Sequence, residues 1–309
     1  MTSVLLTHRL NGFRVSESII DGLRFAAQSL VSYIEIDTRH TRDNVIIVYH
    51  DPFLKDQYGV RLIREMDFQE LESHPVFGKD RNIVALEQFL ETFNSINCNA
   101  TLCIDIKDFG LESQYTDLLK KFNLVKKTWI VSWIPEILFR IHHLLPEIKL
   151  CFSHFSFANH PWLFNITKFL FNKLDIYGKI LTVVNRKSPF FLQRLSLIKT
   201  SHDAYNISPD RLKISTYDAG FRHCHFLSTF PQGDLENILS SISGAVTVPY
   251  YLIDRSFVEI AHKKGIKVWV FLLDREKKLA RYLKQVRPDV VYTNNAYLIP
   301  GAKNILSHL

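Results

Sequence analysis

The sequence has few of the features that mark several large classes of protein. It contains 4 cysteines in 309 residues, which are too few for a disulfide-stabilised secreted scaffold. Because no Cys-x-x-Cys pair occurs, we expect reduced and mostly buried thiols. No uninterrupted apolar run of about 18 residues is present, which argues against a membrane-spanning helix. The most apolar window, Pro161 to Leu174, is broken by asparagine and lysine.

Long runs of one charge are also missing. The net charge is +7 with neutral histidines, which favours anionic partners such as phosphate esters or acidic membrane surfaces. Basic residues occur in pairs and never in longer runs, so we do not expect a nucleic-acid partner. The residues after Met1 lack the cationic start and small-residue cleavage site of a signal peptide, which predicts a cytoplasmic protein.

Short β-rich runs alternate with longer amphipathic stretches along most of the chain. This pattern predicts strands at Val4–Thr7, Val31–Asp37, Val45–Tyr49, Thr101–Ile106, Thr128–Ser132, Lys149–Phe152, Ala245–Val248, Lys267–Leu272 and Asp289–Thr293. With Val45–Tyr49 set aside as an extension beside the second strand, eight strand–helix units remain. They predict an α/β protein with a TIM (β/α)8 barrel. An open doubly wound sheet fits less well, because no glycine-rich phosphate loop follows an early strand.

One region interrupts this alternation. Residues 154–243 are rich in aromatic side chains, and we interpret them as a long insertion between the fifth and sixth strands of a single domain spanning residues 1–309. Insertions at a barrel mouth are usually functional. The aromatic and basic character of 154–175 allows contact with a membrane surface, whereas packing of these aromatics onto the barrel is the simpler explanation.

Ionisable residues recur where three predicted strands end. The set comprises His8, Arg9, Glu35, Asp37, His50, Asp105 and Lys107. Alternate residues of a strand point to the same side, so Glu35 and Asp37 face one way. The carboxyl ends of barrel strands line one mouth, where enzymes of this fold place their active sites. We therefore expect these side chains to meet.

Three inward carboxylates predict a bound cation. Glu35, Asp37 and Asp105 would repel one another unless positive charge lay between them. Ligands that are all oxygen suit Mg²⁺ or Ca²⁺ better than zinc. The sequence therefore predicts a divalent metal site at the barrel mouth.

The remaining members of this set suit phosphate chemistry. His8 and His50 have the side chain best suited to acid–base work near neutral pH, and Arg9 and Lys107 offer positive charge to a phosphate. Each residue alone has a simpler explanation, such as a capped strand end or a surface ion pair. Their recurrence at successive strand ends favours phosphodiester cleavage instead.

The order of these motifs resembles the glycerophosphodiester phosphodiesterase family. The resemblance covers roughly residues 3–153 and 244–300. It rests on His8-Arg9, Glu17, Glu35-x-Asp37, Thr41-x-Asp43, His50-Asp51, Ile83-Val84-Ala85-Leu86-Glu87, Asp105-x-Lys107, Gly265-Ile266-Lys267-Val268-Trp269 and Asp289-Val290-Val291-Tyr292-Thr293-Asn294.

The resemblance implies a metal-dependent hydrolase that releases glycerol 3-phosphate and an alcohol from a glycerophosphodiester. By position, the carboxylates would bind the metal, the histidines would form the acid–base pair, and Arg9, Lys107, Glu17 and Trp269 would bind the substrate. Glu17 has an alternative explanation as a charge at a helix N-terminus. Trp269 has one as part of the barrel core.

Two departures from the family pattern leave the substrate open. Leu10 replaces the glycine after the His-Arg pair, so we expect the backbone there to avoid conformations that favour glycine. Asp105 replaces a glutamate and is one methylene shorter, so the metal site must contract or admit a water. The alternatives are a lysophospholipase D or phospholipase-type phosphodiesterase acting at a membrane surface, and a non-catalytic barrel that binds lipid head groups or a protein.

Overall fold

The structure, a computed structural model, describes residues 4–13, 19–51, 53–56, 59–74, 83–96, 98–153, 231 and 233–302. The strands of this part of the chain are β1 (Val4–Thr7), β2 (Tyr33–His40), β3 (Ile46–Val48), β4 (Phe53–Asp56), β5 (Gly59–Leu62), β6 (Thr101–Ile106), β7 (Thr128–Ser132), β8 (Lys149–Ser153), β9 (Ala245–Pro249), β10 (Lys267–Phe271) and β11 (Val290–Thr293). Parallel pairing runs from β2 through β6 to β11 and on to β1, and the pairing of β1 with β2 closes the ring. The predicted eight-stranded TIM barrel is confirmed.

Amphipathic helices cover the outside of the barrel. Those in the described residues are α1 (Ile19–Gln28), α2 (Phe68–Glu72), α3 (Leu86–Ser95), α4 (Glu112–Lys121), α5 (Pro135–Leu144), α6 (Asp234–Ser241), α7 (Arg255–Lys263) and α8 (Glu276–Gln285). In α3, Phe89, Leu90 and Phe93 recur at helical spacing and are buried in the main core. Burial of each such side chain contributes about 1.5–3 kcal/mol. None of the described helices is long and apolar enough to cross a membrane.

The interior of the barrel is packed with side chains. A second core cluster is formed by the residues Leu6, Cys103, Trp129, Val131, Cys151, Ala245, Trp269, Val290 and Tyr292, which lie on seven of the eight barrel strands. Such layers make a TIM barrel a solid core and not a pore. Because side chains fill the described interior, the ends of the strands are where a ligand would bind. The three cysteines within the described residues are buried free thiols, as predicted.

The second strand differs from its predicted bounds of Val31–Asp37. It starts at Tyr33 and continues to His40, because its last three residues pair with the antiparallel strand β3. This pairing confirms Val45–Tyr49 as an extension beside the second strand. The antiparallel hairpin β4–β5 is a feature that the sequence analysis did not predict.

Most of the predicted insertion lies outside the described residues. Only its final part, residue 231 and residues from 233 onward, is described, and there α6 buries Leu235 and Leu239 in the main core. This helix leads directly into β9 and so completes a strand–helix unit of the barrel. The assignment of residues 1–309 to a single domain stays a prediction.

Candidate active site

The predicted site residues of the first three barrel strands lie at one mouth of the barrel. His8 and Arg9 begin the turn after β1, and Lys107 follows directly after β6. Because β2 and β6 are parallel neighbours, Asp37 stands directly beside Asp105 in the sheet register. The barrel topology therefore gathers residues that lie as far apart in the sequence as His8 and Lys107.

The three predicted metal ligands form a tight carboxylate cluster. One oxygen each from Glu35, Asp37 and Asp105 lies within 4.8 Å of the other two. The exposed fractions of these residues are 1%, 4% and 8%. Charged groups this deeply buried need compensating charge.

Two basic residues supply part of that charge. The Nζ atom of Lys107 lies 2.9 Å from Asp37 Oδ1 and also contacts Asp105. The Nε atom of Arg9 lies 2.6 Å from Asp37 Oδ2. The backbone N–H of Arg9 donates a hydrogen bond of 3.0 Å to Glu35 Oε2. The carboxylates outnumber these cations by one.

The uneven distribution of these charges separates the pKa values of the carboxyl groups. Burial raises the pKa of Glu35 well above its ordinary value, and the charges of Asp37 and Asp105 raise it further. Burial alone would also raise the pKa of Asp37, but Lys107 and Arg9 outweigh it and hold this pKa below its ordinary value. An additional cation beside Glu35 would relieve the cost of ionising it.

The donor set fits a hard divalent cation. All three ligand groups are carboxylates, and Asp105 Oδ1 is a buried oxygen that accepts no hydrogen bond from the described residues. Oxygen donors of this kind suit Mg²⁺ and Ca²⁺. Glu35, Asp37 and Asp105 are thus the residues that could hold such an ion.

The turn after β1 has an unusual backbone. Arg9 and Leu10 both have positive φ angles, 56° and 54°. The expectation that leucine would keep this position out of the left-handed region is wrong. Leu10 is completely buried in the main core, so packing holds a conformation that costs a residue other than glycine about 1–2 kcal/mol. The strained turn directs the Arg9 N–H toward Glu35.

His8 is held by residues that the sequence analysis did not assign to the site. Its Nδ1 atom lies 2.8 Å from Oδ1 of Asn294, which follows β11. The side-chain amide of Asn294 in turn contacts Asp274, which lies beyond β10. The available sequence signal was the same as for the predicted residues, because Asn294 is the first residue after a barrel strand.

His50 has different surroundings. Its Nδ1 atom lies 2.8 Å from Oδ1 of the next residue, Asp51. Its backbone carbonyl accepts a hydrogen bond of 2.6 Å from Nε of Arg39, which is paired with Asp108 at 2.5 Å. Burial lowers the pKa of both His50 and His8 to about 4. Both rings are therefore neutral near pH 7 in this arrangement.

The other two predicted substrate residues are not seen at the mouth. Trp269 has an exposed fraction of 0% and packs against Trp129, Tyr33 and Tyr292. This burial favours its alternative explanation as barrel core. Glu17 lies outside the described residues, so its role stays a prediction.

Comparison with known proteins gives the family. The sequence model of the Glycerophosphoryl diester phosphodiesterase family matches residues 8–174, more than half of the chain. The chain belongs to this family. Within the matched segment lie the carboxylate cluster, both histidines, Arg9 and Lys107.

A curated relative of this family member has low sequence identity to it. The mouse (Mus musculus) protein Lysophospholipase D GDPD3 is 23% identical over 167 residues, which are 48% of this chain and 48% of the mouse protein. The match thus spans about half the length of this curated relative.

Solved structures show that the fold is shared along nearly the whole chain. A Silicibacter pomeroyi protein that carries the same family name has a TM-score of 0.62 and 14% identity, covering 99% of this chain and 94% of its own. A phosphodiesterase from Oleispira antarctica, solved with the product sn-glycerol-3-phosphate, has a TM-score of 0.59 and 15% identity, covering 99% of this chain and 97% of its own. At this identity the likeness shows the fold alone.

Proposed function

We propose that the chain hydrolyses glycerophosphodiesters to glycerol 3-phosphate and an alcohol. The observation that carries this proposal is the buried cluster of Glu35, Asp37 and Asp105, which shares a barrel mouth with His8 and His50. Membership of the family supports it, as does the glycerol 3-phosphate bound to the related Oleispira antarctica enzyme.

The side chains divide the work by their chemistry. The carboxylates would hold a divalent cation, Mg²⁺ or Ca²⁺, which would supply a Lewis acid for the phosphodiester. One histidine, in its neutral form, removes a proton from the attacking hydroxyl, and the other, in its protonated form, gives a proton to the leaving alcohol. Arg9 and Lys107 carry the positive charge that orients a phosphate group. Both cations contact Asp37, which supports this role.

The proposal is tested by glycerol 3-phosphate release from glycerophosphocholine and glycerophosphoethanolamine. Reactions contain Mg²⁺, Ca²⁺ or a chelator, and we expect turnover only with a metal. Glu35→Gln removes a ligand charge and is expected to abolish turnover. Glu112→Gln is the matched control, because Glu112 is equally buried but pairs with Arg140 away from the cluster.

Two results would contradict the proposal. Turnover that persists in chelator, or survives in Glu35→Gln as well as in Glu112→Gln, would remove the role of the carboxylate cluster. Absence of turnover in a folded, metal-binding protein would favour the non-catalytic barrel that binds lipid head groups or a protein.

A lysophospholipase D activity is the second candidate, favoured by the name of the mouse relative. It is tested with lysophosphatidylcholine in vesicles, beside glycerophosphocholine in solution. A preference for the acylated substrate would select it. Contact with a membrane surface through 154–175 stays a prediction, since those residues lie outside the described part of the chain, and so does the cytoplasmic location.

A further inference from the structure

We propose that Asn294 and Asp274 are positioning residues that fix the ring proton of His8 on Nδ1 and leave Nε2 free to accept a proton at the carboxylate cluster. The effect that we expect on kcat rests on the proposed hydrolysis. The arrangement of hydrogen bonds itself is independent of any substrate.

Asp274 holds the side-chain amide of Asn294 in one orientation. Its Oδ1 atom accepts a hydrogen bond of 2.7 Å from the backbone N–H of Asn294, and its Oδ2 atom lies 3.3 Å from Asn294 Nδ2. A carboxylate can only accept hydrogen bonds, so the amide of Asn294 must present its NH₂ group to Asp274. The two ends of an asparagine amide look alike, and a charged neighbour of this kind distinguishes them.

The orientation of the amide then determines the tautomer of His8. With its NH₂ group facing Asp274, Asn294 turns Oδ1 toward His8 Nδ1 at 2.8 Å. The same oxygen accepts a hydrogen bond of 2.7 Å from Nδ2 of Asn11. An amide oxygen only accepts, so Nδ1 of His8 must be the donor and must carry the ring proton. In the neutral ring, Nε2 is then the basic atom.

The free nitrogen faces the functional cluster. Nε2 of His8 lies 4.0 Å from Glu35 Oε2. This distance is too long for a hydrogen bond, so Glu35 does not compete with Asn294 for the ring proton. A group held by the carboxylates would lie beside this unprotonated nitrogen.

Close packing keeps the chain of hydrogen bonds together. Gly12 has a φ angle of +81°, and a Cβ atom there would lie 2.8–2.9 Å from Ala296 and from the backbone oxygen of Asn294. The turn that carries His8 and Asn11 is therefore pressed against the segment that carries Asn294. The backbone contacts of Gly12 and the side-chain hydrogen bond of His8 therefore hold these two segments in the same relative position.

The direct test reads the tautomer by nuclear magnetic resonance. The full-length protein is labelled with ¹⁵N-histidine, and the His8 ring is assigned by comparison with His8→Gln. We expect a protonated Nδ1 and an unprotonated Nε2 in the wild type without substrate, with or without Mg²⁺. Asn294→Leu, which has a similar shape but no acceptor, is expected to move the proton to Nε2 in a large fraction of molecules. Asp274→Asn removes the orienting charge and is expected to populate both tautomers.

The kinetic test separates positioning from folding. Asn294→Leu is expected to lower kcat for glycerophosphocholine about 10- to 100-fold, as for other residues that orient a functional histidine, with little change in KM. Asn295→Ala is the matched control. The side-chain amide of Asn295 donates to the backbone oxygen of Asp274 and does not touch His8. It is expected to keep the wild-type tautomer and kcat.

Different results would contradict the positioning role and the proposed hydrolysis. A wild-type His8 with its proton on Nε2, or an Asn294→Leu variant with unchanged tautomer and unchanged kcat, overturns the positioning role. Absence of turnover by the wild type on every glycerophosphodiester overturns the proposed function instead. The tautomer spectra, which need no substrate, would still decide the positioning role.

Discussion

The two histidines at the barrel mouth are held in contrasting ways. His8 is bound through Nδ1 to a neutral amide, Asn294, which lies 286 positions away in the sequence. His50 is bound through Nδ1 to a carboxylate, Asp51, which is the next residue. The first arrangement depends on closure of the barrel, and the second is local.

The difference has chemical consequences. An amide sets the direction of a ring without adding charge, whereas a carboxylate sets the direction and also stabilises the protonated ring. His8 is thus suited to begin neutral and accept a proton. The carboxylate of Asp51 would help His50 to hold a proton that it gains, whereas burial keeps the pKa of both free rings at about 4. If both rings serve the proposed hydrolysis, changes around them should affect different properties.

Among changes to the two histidines and their partners, removal of either ring should have the largest effect on activity. His8→Gln and His50→Gln are each expected to lower kcat about 10²- to 10⁴-fold, the usual contribution of an acid or base. The double variant should lose much less than the product of the two, because the residues act as a unit. The measurement is glycerol 3-phosphate release, with the exposed residue His143 changed to Gln as control. Unaltered turnover in one single variant would reduce the pair to one functional histidine.

The buried pair behind His50 should matter most for stability. Arg39→Met leaves Asp108, whose side chain is 11% exposed, without its ion-pair partner and removes the donor to the His50 carbonyl. We expect the free energy of unfolding to fall by about 3–5 kcal/mol, measured by urea denaturation. Arg42→Met is the matched control, because Arg42 pairs with Asp67 at the surface and its loss should change little. Equal losses would show that burial of the pair does not matter.

The charge of Asp51 can be separated from its hydrogen bond. Asp51→Asn still offers an oxygen to Nδ1 of His50 but cannot stabilise a protonated ring. We expect kcat to fall about tenfold, near the lower limit for such partners because Asp51 is partly exposed. Steady-state kinetics with glycerophosphocholine measure this. A variant with wild-type kcat would show that direction alone suffices at His50, as proposed at His8.

The smallest effect on kcat is expected for a change at Asn11, beside His8. Asn11→Ala removes one of two donors to Asn294 Oδ1, but Asp274 still orients the amide. The loss of one hydrogen bond of this kind is worth about 0.5–1.5 kcal/mol. We expect kcat to fall only a few-fold and the Nδ1 proton of His8 to remain. A loss as large as that of Asn294→Leu would place Asn11, and not Asp274, in control of the amide.

The carboxylate cluster was predictable because local rules place it. Alternation along a strand puts Glu35 and Asp37 on one side, and parallel register puts Asp105 beside them. Among the partners of His8, Asn294 also follows a barrel strand directly, but no local rule pairs it with His8. Asn294 and Asp274 have no spacing relation to His8, and only closure of the barrel brings them together.

Leu10 shows a second limit of sequence reasoning. The rule that positive φ angles belong to glycine concerns a residue by itself. At Leu10 the cost of the conformation is offset by complete burial of its side chain among residues from other elements. A preference of one residue can be predicted from its type, but the packing that overrides it involves the whole fold. The same limit applies to Trp269, whose aromatic ring fits a substrate floor and a core equally well until its neighbours are known.

Because β1 pairs with β11 to close the barrel, the site is assembled late in synthesis of the chain. His8 is synthesised 286 residues before Asn294, the residue that sets the position of its ring proton. If the proposed hydrolysis depends on this tautomer, the functional form of His8 can arise only after β11 has been made and has paired with β1.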